Sequence, residues 1–154
     1  MDKKLLDILY PEKCVVCHRL LRGTVGEKMC GECRKSVRPV TEPRCIRCSK
    51  PVMDMEEEWC EDCRGRTFYV EAGYALYPYA QPMRRAIRYL KYDGETAGAP
   101  YFADQMVERY GGWVQRLSPD VIIPVPLHTK KRRFRGCNQA ACLAARSGDR
   151  LEIP

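Results

Sequence analysis

Eight of the ten cysteines fall into four Cys-x-x-Cys pairs, Cys14/Cys17, Cys30/Cys33, Cys45/Cys48 and Cys60/Cys63. Thiolates paired at this spacing are ligands for a tetrahedral metal ion, above all zinc. The pairs are themselves repeated: KCVVCHRLL from Lys13 aligns with RCIRCSKPV from Arg44, and MCGECRKSV from Met29 with WCEDCRGRT from Trp59. One half of the module is therefore a copy of the other. Four thiolates at about 2.3 Å complete a structural zinc site with no open position, which argues against zinc catalysis. Cys14, Cys17, Cys30 and Cys33 would hold one ion, and Cys45, Cys48, Cys60 and Cys63 a second. A cross-braced arrangement, first pair with third and second with fourth, uses the same eight residues.

The first pair also reads as Cys-x-x-Cys-His, the pattern of covalent haem attachment. Haem would account for one pair of the four and would require export to a haem-loading compartment. His18 is expected to hydrogen-bond or face solvent beside its knuckle, with substitution as a ligand the sharper alternative. Asp54, Glu56, Glu57 and Glu58 read as a solvated loop tip.

These sites need a scaffold. The chain has 154 residues, 45% of them apolar and 31% charged, with a net charge of +7. That is an ordinary soluble balance, long enough for one domain or a small module followed by part of a larger one. The longest apolar run, VIIPVPL from Val121 to Leu127, is broken by two prolines, so no membrane span is expected. MDKKLLDILY reads as a short amphipathic helix ending before Pro11, too short and too acidic for a secretory signal. The expected location is the cytoplasm, where reducing conditions favour metal thiolates over disulfides. A ribbon module rich in Arg, Glu and Gly buries too little apolar surface to fold unaided. Zinc binding, worth about 10–16 kcal/mol, makes up the difference.

After Gly65 to Thr67 the composition changes, which divides the chain into a double ribbon with its N-terminal helix, residues 1–66, and a second unit, 67–154. YVEAGYALYPYA has strand-like content. QPMRRAIRYLKYDGE reads as a helix opened by Pro82 and stopped by Gly94, with Met83, Ala86, Ile87 and Leu90 inward and Arg84, Arg85, Arg88 and Lys91 outward. A further helix is expected from about Pro100 to Tyr110, ending at Gly111 and Gly112. DVIIPVP is a continuous β-branched run, the pattern of a strand buried on both faces of a parallel sheet, ended by Pro124 and Pro126. A basic loop containing Lys130, Lys131, Arg132, Arg133 and Arg135 then leads through Gly136 to a helix capped by Asn138 and closed by Gly148. Arginines, free N–H groups and a helix N-terminus suit a phosphate or pyrophosphate; the bland alternative is a solvated basic loop.

In order, the double ribbon, IRYLKYDGE, DVIIPVPLH and RRFRGCNQA resemble the ComF family, phosphoribosyltransferase-like proteins associated with competence for DNA uptake. The resemblance runs over nearly the whole chain, with Cys137 standing where the family usually has an aromatic residue. It implies a small zinc-ribbon module plus an α/β unit, here an incomplete type I phosphoribosyltransferase-like domain with the start of a parallel sheet. In that family Pro124, Val125, Pro126 and Leu127 would lie near the pyrophosphate, Arg135, Gly136, Asn138 and Gln139 in the adjoining motif with Arg132 and Arg133 beside them, and Lys91 and Tyr92 in a hood over the site. The family's acidic phosphoribosyl pyrophosphate motif is missing, so phosphoribosyl pyrophosphate with Mg²⁺ is expected only of a full-length homologue. The chain alone is expected to be inactive as a transferase.

The competing reading is a module for single-stranded DNA, in which basic clusters interleave with Tyr79, Tyr89, Tyr92 and Phe134. A third is a platform for a protein of the competence machinery. Because the DVIIPV strand lacks sheet partners, self-association or docking of a complementary C-terminal fragment is also expected, with no direct membrane insertion.

Overall fold

The computed structural model describes residues 11–21, 26–92 and 98–154. The amphipathic helix expected at the N-terminus and the stop expected at Gly94 lie outside these residues. The described elements are α1 (Gly31–Ser36), α2 (Met83–Tyr92), α3 (Gly98–Leu117), α4 (Thr129–Arg135) and α5 (Gln139–Leu151).

The two ribbons repeat in backbone as they do in sequence. Each knuckle carries an isolated antiparallel bridge, Lys13 with Leu20 and Arg44 with Pro51. In each, the residue after the second cysteine donates its N–H to the first cysteine's carbonyl: His18 to Cys14 at 2.8 Å and Ser49 to Cys45 at 2.9 Å. Both residues adopt φ 60°, the left-handed turn that folds the thiols back on one another.

The first ribbon does not stand apart from the helices. Cys14, Val15, Val16, Cys33 and Val37 share one core with Met83 and Ala86 of α2 and Phe102 of α3. The second ribbon's core of Cys45, Cys60 and Cys63 is separate and smaller. It is tied down instead by residues 73–75: Gly73 N–H donates to the Ile46 carbonyl at 2.8 Å and Ala75 N–H to Ser49 Oγ at 2.9 Å.

Beyond the ribbons the chain is helical, and several expectations require correction. Among the described residues no strand forms, so neither YVEAGYALYPYA nor DVIIPVP joins a sheet. Residues 121–126 run extended along the groove between α3 and α5, and Ile122 N–H donates to the Pro154 carbonyl. Pro124 and Pro126 carry no N–H to extend that edge. The α/β unit with the start of a parallel sheet is therefore not seen: among the described residues from 67 to 154 there are helices and one unpaired extended segment.

The helix expected to end at Gly111 runs through both glycines to Leu117. A Cβ on Gly111 would lie 3.1 Å from Leu151 Cδ2. Glycine there costs about 1 kcal/mol of helix propensity, but it lets α5 close on α3. Gly148, expected as a terminus, is instead inside α5, where a Cβ would meet the Ile153 carbonyl at 2.5 Å. The α3–α5 contact is fastened by Asp104, whose carboxylate accepts from Arg146 Nε and Nη2 at 3.0 and 3.1 Å and from Arg150 Nη1 at 3.1 Å. The basic loop is helix α4, because the His128 ring nitrogen accepts from Lys130 N–H at its start and Gly136, at φ 77°, ends it.

Candidate metal centres and a basic surface

The sulfur atoms of Cys14, Cys17, Cys30 and Cys33 all lie within 4.8 Å of one another, as do those of Cys45, Cys48, Cys60 and Cys63. A tetrahedron with bonds of about 2.3 Å has edges of about 3.8 Å. The Cys17–Cys30 and Cys48–Cys60 sulfur separations are 3.7 and 3.6 Å, which fits such an ion and is far too long for a disulfide. Pairing is sequential, one ion to each repeat, and the cross-braced alternative falls. Both sets fit structural zinc.

Within each set the thiols differ. Burial raises the Cys14 thiol, but hydrogen bonds from the N–H groups of Cys30, Cys17 and Val16 outweigh it and bring it down to about 7. At Cys45 burial is likewise outweighed by the N–H groups of Cys60, Cys48 and Arg47, and the value falls to about 6. Burial and neighbouring thiols push Cys33 upward, and Cys63 up to about 12. Backbone donors aimed at a sulfur stabilise its thiolate, the form that binds metal.

His18 is not a ligand. Its ring stacks on Tyr89 of α2, centroids 3.6 Å apart and planes at 20°. Its counterpart Ser49 is buried and donates to the Gly73 carbonyl at 2.9 Å while accepting from Ala75 N–H at 2.9 Å. Neither contact is visible in the cysteine spacing. The only signal is in the repeat, which puts a non-glycine residue at the same left-handed position twice.

The residues expected near phosphate divide into two places. Lys91 and Tyr92 line a polar hollow of about 430 Å³ on α2 with Tyr79, Arg84, Arg85 and Arg88. Arg135 joins them: its Nη2 donates to the Tyr92 hydroxyl at 3.1 Å, its guanidinium lies 4.9 Å from that ring, and Phe134 meets Tyr92 edge-on at 6.5 Å. Arg132 and Arg133 lie exposed in the last turn of α4. Among the described residues, Arg84, Arg85, Arg88 and Lys91 have no carboxylate partner, and Arg84 sits 5.6 Å over Tyr79.

Pro124 and Val125 lie elsewhere, on an apolar groove of about 390 Å³ walled by α3 and α5. Pro126 is exposed beside them. Asn138 ties α5 to this segment, accepting from Ala140 N–H at 3.2 Å as the cap of α5 and donating to the Val125 carbonyl at 3.1 Å. Gln139 turns back to the Cys137 carbonyl at 3.4 Å. No helix among the described residues is long and apolar enough to cross a membrane.

Residues 5–64 match the family model described as a double zinc ribbon domain. Over 127 residues the chain is 26% identical to the competence protein ComFC of Bacillus subtilis (strain 168), covering 77% of this chain and 50% of that protein. The chain thus spans about half the length of the curated relative it matches. No solved structure matches it. Residues 5–64 thus carry a double zinc ribbon, and the similarity to the competence protein ComFC continues past it.

Proposed function

We propose that this is a phosphoribosyltransferase-like protein linked to competence, and that its 154 residues hold phosphate groups rather than transfer a phosphoribosyl group. The observation that carries this is the outer face of α2. There Arg84, Arg85, Arg88 and Lys91 stand together without carboxylate partners among the described residues, and Arg135 of α4 reaches them through Tyr92. Unpaired cations on one face attract a chain of phosphates. Transfer is not part of this reading: among the described residues the adjacent acids, Glu56 to Glu58 and Glu61 with Asp62, belong to the second ribbon, and no carboxylate pairs with these cations.

Single-stranded DNA is the ligand this surface fits best. Tyr79, Tyr92 and Phe134 are 71%, 53% and 79% exposed among the cations, the arrangement of a backbone-tracking surface with stacking platforms. The relative's designation as a competence protein agrees with a DNA ligand. Phosphoribosyl pyrophosphate is the second reading, favoured by Arg135 meeting Tyr92 beside the Asn138-capped helix. The test is titration of an oligothymidylate at several salt concentrations, beside phosphoribosyl pyrophosphate with Mg²⁺. Four phosphate contacts would give a slope of log affinity against log salt of about −3. Arg84→Glu with Arg88→Glu should abolish most of that slope. Affinity indifferent to salt and to both substitutions would refute the reading.

A further inference from the structure

Among the described residues α2 spans ten. Helices shorter than about 12–15 residues are marginal in water unless something packs against them. For α2 that something is the first ribbon. Met83 and Ala86, with Leu90 beside them, meet Cys14, Val15, Val16 and Cys33, so two of the metal-binding residues belong to the core that holds the helix. His18, next to Cys17, adds its stack on Tyr89. The cations lie on the opposite face of the same helix. The second ribbon, through Ser49, docks on residues 73–75 instead.

We infer that the first metal site and the phosphate-binding face of α2 are coupled through the His18–Tyr89 stack. Metal in the first ribbon orders the helix and strengthens phosphate binding, and a bound phosphate chain in turn tightens that metal, because coupling between two sites is reciprocal. The second site does neither. This assigns different duties to two chemically identical centres, and it makes His18 and Tyr89 positioning residues. Its functional arm rests on the proposed phosphate-binding reading; its structural arm does not.

The experiment compares the zinc-loaded full chain with His18→Asn, which tolerates the left-handed backbone but lacks the ring, with Tyr89→Leu and Tyr89→Phe, and with Ser49→Ala. Bound zinc, amide exchange across residues 83–92 and affinity for an oligothymidylate are measured together. His18→Asn and Tyr89→Leu should keep zinc in both four-cysteine sites. They should also speed exchange in 83–92 by about tenfold and weaken the oligonucleotide by about fivefold. Tyr89→Phe should restore both readouts, and Ser49→Ala should leave them within about twofold of wild type. Unchanged exchange in His18→Asn, or equal acceleration in Ser49→Ala, overturns the coupling. If the wild-type chain ignores the oligonucleotide but exchange responds as expected, the ordering of α2 by the first ribbon stands and the ligand reading falls with the functional arm.

Discussion

Gly73 approaches Arg47 so closely that a Cβ on the glycine would sit 2.2 Å from the arginine's carbonyl oxygen. Close approach, not an unusual φ, is what demands glycine here. The consequence is that the second ribbon is clipped to the chain beyond it by main-chain atoms. Gly73 N–H donates to Ile46, its carbonyl accepts from Ser49 Oγ, and Arg44 lies 4.2 Å over the neighbouring Tyr74 ring. Gly73→Ala should therefore push the backbone apart and cost about 1–3 kcal/mol. Denaturant unfolding of the zinc-loaded protein measures it. A loss below about 0.5 kcal/mol, the level of an ordinary surface change, would mean the clip yields freely.

How much of this is legible in the residues alone depends on where the determining physics lies. Metal ligation is local, so the Cys14–Cys33 and Cys45–Cys63 sets and the helix of Met83 to Tyr92 are legible from spacing and period. Gly111, Gly112 and Gly148 mislead, because the sequence shows only their poor propensity, whereas Gly111 sits where Leu151 of α5 closes on α3 and Gly148 where the Ile153 backbone folds back on α5. The basic run from Lys130 to Arg135 reads as a loop because no apolar stripe marks it; its caps, His128 and Gly136, are the available signal. The DVIIPVP segment carries a buried strand's composition, but a strand also needs a neighbour, and composition does not supply one. The division of candidate phosphate residues between a polar hollow and an apolar groove is likewise a matter of tertiary placement.

Zinc affinity should rise with pH. At neutral pH Cys45, lowered to about 6, is largely thiolate, while Cys63, pushed up to about 12, and the raised Cys33 hold their protons until metal displaces them. Protons are thus a product of binding, and removing them favours it. Each proton released per ion adds about tenfold to apparent affinity per pH unit. Competition against a chromophoric chelator at pH 6, 7 and 8 reads this directly. A flat profile would indicate that all four thiols of each set are already ionised before metal arrives.

Asp104 should stabilise the α3–α5 contact in a pH-dependent way. The hydrogen bonds and charge of Arg146, with Arg150 assisting, hold its carboxyl below the usual range. A lowered folded-state value means stability that is fully present above the unfolded value, about 3.9, and is lost as pH falls through the folded one. The carboxylate is 28% exposed and Arg146 is 42% exposed, so screening trims the benefit. Asp104→Asn should cost about 0.5–1 kcal/mol at neutral pH, less in high salt, and progressively less as pH falls through the lowered carboxyl value. A pH-independent loss would assign the effect to packing rather than charge.

Residues 121–125 should bring copies of the chain together. In an extended segment successive N–H groups face opposite edges. One edge holds Ile122, bonded to Pro154, and then Pro124 and Pro126, which cannot donate. The other presents the N–H groups of Val121, Ile123 and Val125, which have no backbone partner among the described residues. Their side chains are 50%, 78% and 76% exposed. An open, β-branched edge pairs with another strand, and the prolines direct that pairing to a single side. Sedimentation of the zinc-loaded chain should show concentration-dependent association, and Ile123→Lys should weaken it by about tenfold or more. Because Ile123 only borders the groove and is 78% exposed, the substitution removes little buried surface and should leave thermal unfolding nearly unchanged. A wild-type chain that sediments as a monomer at every concentration, as Ile123→Lys does, would show that this edge does not pair.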